Sequence, residues 1–97
     1  MRIIKRRTLK EFWERHADSE EVLKAWFAEV KNADWDSTAD VKQQYSSASF
    51  RPDNRVVFNI KGNNYRLVVK VSYAAKIVLI RFIGTHAEYD DIDVDTI

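Results

Sequence analysis

The chain has 97 residues, is 45% hydrophobic and 12% aromatic, and carries two glycines, one proline and no cysteine. Such a composition suits one modest packed core and excludes a disordered or collagen-like chain, a disulfide framework and a thiolate metal site. The net charge of +1 conceals a segregation: residues 2–10 carry five bases and no acid, residues 49–86 seven bases against Asp53 alone, and residues 87–97 five acids and no base. Two basic blocks of this kind suit a polyanion such as nucleic acid; an uneven solvated surface is the alternative.

Met1 to Lys5 is short and fits an edge strand. The basic start has no apolar run behind it, because Lys10, Glu11 and Glu14 interrupt it, so no secretory signal is expected. No segment approaches the roughly 20 apolar residues of a membrane span, and the expectation is one soluble, cytoplasmic domain over 1–97. Thr8 is placed to cap a helix, with Glu11 three residues on completing a capping box; Leu9, Phe12 and Trp13 follow at helical spacing to about Ala17-Asp18. Asp18 or Ser19 caps a second helix, whose stripe Val22, Leu23, Trp26, Phe27 and Val30 runs to about Asn32. At that spacing the aromatics read as core, not as base-stacking groups. Trp35 and Asp36-Ser37-Thr38 mark a turn, and Ala39 to Gln44 a further short helix.

Arg55 to Ile60, Tyr65 to Tyr73 and Lys76 to Ile83 are rich in β-branched and aromatic residues and predict an antiparallel meander. A two-residue turn at Gly62-Asn63 sets Asn59 opposite Arg66 and Arg55 opposite Lys70. One face is then apolar, with Val56, Phe58, Ile60, Tyr65, Leu67 and Val69. The other carries Arg55, Asn59, Lys61, Arg66 and Lys70 around Val57 and Val68. A turn at Ala74-Ala75 adds Arg81 to the polar face, opposite Val68, and Ile83 opposite Arg66. The chain then arrives at Gly84-Thr85-His86.

Asn54 to Val68, with Tyr65-Arg66-Leu67-Val68, and Ile80 to Asp90, with Gly84-Thr85-His86-Ala87-Glu88-Tyr89, resemble the HigB family of bacterial toxins. Met1-Arg2-Ile3-Ile4, Leu9 to Trp13, Ala33-Asp34-Trp35 and Asp40-Val41-Lys42 also match that layout, so the resemblance covers nearly the whole chain. It implies an α+β, RelE-like fold, with N-terminal helices on one face of a small twisted antiparallel sheet. It also implies a ribosome-dependent mRNA endonuclease that contacts ribosomal RNA and is silenced by a helix-turn-helix, HigA-like antitoxin. His86 and Tyr89 fall where RelE-like toxins place a basic and tyrosine cluster, but Thr85, Ala87 and Glu88 depart from the wider pattern.

RNA is cut when its 2′-hydroxyl attacks the adjacent phosphorus, which requires proton transfer and positive charge on the transition state. The candidate catalytic residues are Arg66 and Arg81 on the scissile phosphate, His86 for the proton and Tyr89 to stack or donate. Arg55, Lys61 and Lys70 are expected on flanking phosphates and Asn59 on substrate orientation. No metal or other cofactor is expected, since the two histidines stand far apart and the acids after Glu88 read as a solvated tail. The alternative is a non-catalytic RNA- or DNA-binding module using the same face.

Overall fold

Apolar spacing decides where the helices form, whereas their ends are set more by backbone than by side-chain caps. The computed structural model describes all of residues 1–97. In chain order it has β1 (Arg2–Ile4), α1 (Arg6–Arg15), a 3-10 turn (Ala17–Ser19), α2 (Glu20–Lys31), α3 (Thr38–Gln44), β2 (Ser49–Arg51), β3 (Arg55–Ile60), β4 (Tyr65–Ser72), β5 (Ile77–Thr85) and α4 (His86–Asp90). Lys5, at φ 73°, reverses the chain directly after β1 and is the N-cap of α1. Thr8 therefore lies within the helix, and the expected Thr8–Glu11 capping box does not form; Glu11 pairs with Arg7 at 3.1 Å. Ser19 does precede α2, but its hydroxyl donates to the His16 carbonyl and caps nothing.

The stripes of α1 and α2 deliver Leu9, Phe12, Leu23, Trp26 and Val30 onto one sheet face, against Val56, Phe58, Leu67, Val69 and Ile80. Phe58 sits at the centre, edge-on to Trp26 (5.4 Å) and Tyr45 (5.1 Å) and stacked on Trp35 (6.3 Å). Burying such a ring contributes about 3–5 kcal/mol, as judged by large-to-small replacements. The core assignment of Phe12, Trp13 and Trp26 holds, and Phe27 packs against its margin.

The sheet order is β1-β5-β4-β3-β2. β2 to β5 are antiparallel, but β1 runs parallel to β5, with Arg2 beside Ile77 and Ile4 beside Leu79. The sheet is thus mixed, not purely antiparallel. β1 and β5 lie far apart in sequence, so no hairpin dictates their relative direction. Between β3 and β4 the register is as expected, with Asn59 opposite Arg66 and Arg55 opposite Lys70. Lys61 and Gly62 take positive φ (55° and 66°) in the connecting turn, where Gly62 carries no steric penalty.

Between β4 and β5 the expected register holds from Ser72↔Ile77 to Val69↔Ile80 and then slips by one residue. A β-bulge inserts Arg81, so Val68 faces Phe82, Leu67 faces Ile83 and Arg66 faces Gly84. Simple alternation had set Val68 opposite Arg81 and Ile83 opposite Arg66; the bulge returns Ile83 to the core. Glycine opposite Arg66 leaves room for Phe82: a Cβ on Gly84 would lie 2.5 Å from the Phe82 ring and 3.2 Å from Glu88 Cβ, so the ring would have to move. At the other edge β2 pairs only with Arg55–Val57, leaving Phe58–Ile60 without a strand neighbour on that side.

Candidate nucleic-acid interface and active site

Alternation along β3 and β4 sends Arg55, Val57, Asn59, Arg66, Val68 and Lys70 to the face away from the helices. Val57 and Val68 are nevertheless buried, although neither belongs to the helix-side core. Residues 91–97 return across this face as a strap. Asp95 grips Arg51 with two hydrogen bonds (2.9 and 3.0 Å), and the Ile97 carbonyl accepts from Arg55 Nε at 2.7 Å. Arg51 and Arg55 are direct cross-strand partners, a repulsive arrangement unless anionic or carbonyl oxygens compensate it. Asp95 holds the Arg51 guanidinium above its ordinary pKa, and the Tyr89 phenol adds to that effect.

The bases of this face consequently fall into two sets. Arg55 is 6% exposed and donates to the Ile97 and Pro52 carbonyls, with Asp53 at 3.5 Å. Lys70 pairs with Asp53 at 2.8 Å, and that pairing lowers the Asp53 pKa. Arg55, expected on a flanking phosphate, is buried and anchors the strap, and Lys70 is held by Asp53. Lys61, Arg66 and Arg81 have no carboxylate within 4.0 Å. Arg66 is half-buried and rests its guanidinium on the Asn63 and Tyr65 carbonyls at 3.1 and 3.2 Å, contacts that leave its charge uncompensated. Asn59 sits beside it across the strand pair. Arg81 is exposed on the bulge and, with Lys70, Leu79 and Tyr73, lines a groove of about 610 Å³ walled on one side by Ile97.

At the exit of β5, Thr85 caps α4 through a complete capping box. Its hydroxyl accepts from the Glu88 amide at 3.1 Å, while Glu88 accepts from the Thr85 amide at 2.8 Å. That amide hydrogen bond holds the Glu88 carboxyl below its ordinary pKa. The His86 amide donates to the Asn64 carbonyl at 3.2 Å, tying α4 to the turn that precedes Arg66. The His86 ring is exposed, with Nδ1 3.2 Å from Asp90 Oδ2. A proton held on Nδ1 by that carboxylate leaves Nε2 as a free acceptor.

The structure thus brings Arg66, Asn59, Lys61 and His86 to one end of the sheet and places Arg81 midway along it. It sets Tyr89, half-buried, within electrostatic reach of Arg51 on the strap side. The His86–Asp90 contact is not among the sequence expectations, although a spacing of four on a helix is a usable signal for it. The acids after Glu88 are not merely a solvated tail: Asp90 lies against the His86 ring and Asp95 clamps Arg51. Neither Glu88 nor Asp90 folds back onto Arg66 or Arg81.

Residues 19–92 match the sequence model of the HigB toxin family, described as the RelE-like toxic component of a toxin–antitoxin system. The chain belongs to this family. The matched span includes every residue of the Arg66–His86 end, and the four helices on a five-stranded sheet agree with a RelE-like toxin fold. No curated protein matches the chain. As the toxic component of such a system, the protein has an antitoxin as its partner. No helix of the toxin is long and apolar enough to cross a membrane.

Proposed function

We propose that the toxin is an endoribonuclease that cuts translated mRNA on the ribosome, at the end of the sheet where Arg66 meets Thr85-His86. The observation that carries this reading is the uncompensated Arg66 charge at the same end of the sheet as His86, whose amide is tied to Asn64 and whose Nδ1 lies 3.2 Å from Asp90. Arg66 offers a planar fork to the two non-bridging phosphate oxygens, and its positive charge favours the transition state, where anionic charge has grown. His86 Nε2 accepts the proton of the attacking 2′-hydroxyl. The P–O5′ bond breaks as the 2′-oxygen bonds to phosphorus, and the leaving 5′-oxygen takes a proton from solvent water, giving a 2′,3′-cyclic phosphate and a free 5′-hydroxyl. This route requires no cofactor.

In this reading Lys61 and Arg81 hold phosphates on either side, Asn59 orients a base or ribose, and Tyr89 supplies a stacking surface. Ribosomal RNA contributes the remaining polyanionic partner, and the cytoplasm is where translated mRNA is met. The test is an in vitro translation reaction programmed with a defined mRNA, in which new 5′ ends are mapped. Wild-type toxin is expected to produce 5′-hydroxyl ends that His86→Ala reduces by about 10²-fold or more. Full cleavage by His86→Ala would remove the histidine from the mechanism. Saturable, salt-sensitive RNA binding with no new ends would favour a non-catalytic binding module.

A further inference from the structure

On the helix side of the sheet, away from the strap, lies a second groove of about 340 Å³. Its wall is apolar: Val22, Ala25 and Trp26 of α2, Tyr45 after α3, and Phe58 and Ile60 of β3. Along the same groove stand Glu21 and Glu29, so the local charge is opposite to that of the Arg66 end. Glu21 has no cationic partner, and Glu29 accepts only from the Tyr45 hydroxyl, at 2.6 Å. The groove borders Phe58–Ile60, the part of β3 that β2 does not cover. Trp26, 3% exposed, has an indole N–H with no acceptor, a rare condition for a buried donor.

We infer that this groove is a docking surface for the antitoxin, taken by an extended segment that pairs with the free edge at Phe58–Ile60, inserts an aliphatic side chain between α2 and Tyr45, and presents lysine or arginine to Glu21 and Glu29. Edge pairing supplies main-chain hydrogen bonds, and the apolar wall and carboxylates supply the specificity. Nucleic acid does not fit here, because two carboxylates flank the groove where phosphates would lie. The inference rests on the toxin's family and not on RNA cleavage: Asn59 also borders the groove, but Arg66, Arg81 and His86 do not line it.

The test is calorimetric titration of the purified cognate antitoxin into wild-type toxin and into Ala25→Arg, Glu21→Lys and Arg66→Ala. Ala25 and Glu21 are exposed on α2, so these changes leave the core intact, and thermal melting verifies that each variant is folded. Ala25→Arg fills the groove and repels a basic segment, and is expected to weaken binding by about tenfold or more. Glu21→Lys weakens it by roughly threefold, with a shallower salt dependence. Arg66→Ala binds as wild type does. Wild-type affinity in both groove variants would overturn the proposal, as would tighter binding by Glu21→Lys. Mapping mRNA ends produced by Ala25→Arg separates the two accounts, because cleavage persists whether or not the groove is the docking surface.

Discussion

The strapped and open ends of the same sheet face carry similar residues and put them to different uses. At the strapped end, Arg51 and Arg55 meet Asp95 and the Ile97 carbonyl and hold residues 91–97 against the sheet, while Lys70 is paired with Asp53. At the open end, Arg66 and Lys61 find only carbonyls or solvent; Arg81, midway between the two ends, protrudes from a bulge without a carboxylate partner. A count of bases along the sequence treats all of these alike. Compensation is what separates a structural arginine from one that awaits an anion.

The largest effect that would break this comparison comes from Arg66→Ala. Cleavage, read as new mRNA ends per folded molecule, is expected to fall about 10²–10³-fold, with little change in melting temperature. Arg55→Ala should do the reverse. Loss of its buried hydrogen bonds is expected to cost about 1–3 kcal/mol in denaturant unfolding, with cleavage per folded molecule retained. Arg81→Ala sharpens the contrast from the side of binding. The log–log salt slope of RNA affinity should become shallower by about one, and the affinity loss should be uniform across sequences.

The smallest effect concerns the Glu88 cap. Its folded pKa lies below its ordinary value of 4.5, so the carboxylate stabilises α4 fully above that value. This contribution is lost as pH falls below 4.5 and through the depressed folded pKa. Amide exchange at Thr85 should accelerate over that window in wild type and show no such step in Glu88→Gln.

Much of this layout was legible in the sequence because β-strand parity is rigid. With Gly62-Asn63 as the turn, parity makes Asn59 face Arg66, and it does. The same parity failed at Arg81, where a bulge carries no clear local signature, and the error reached Ile83 and Gly84. β2 is only three residues long and α4 five, too short for periodicity to reveal, although Thr85-x-x-Glu88 was a capping-box signal that went unused. The strap was hidden for a different reason: Arg51–Asp95 joins residues 44 apart in sequence, a contact that composition does not encode. An acidic run after a basic sheet was visible. That it would clamp one end of the face and leave the other open was not.

The most direct test maps 5′ ends of cellular mRNA after induction of wild-type toxin, Arg66→Ala and Arg51→Ala. New 5′-hydroxyl ends inside translated reading frames are expected with wild type and with Arg51→Ala, and not with Arg66→Ala. Equal ends from Arg66→Ala, or growth arrest by wild type without new ends, would contradict the assignment of cleavage to the open end of the sheet.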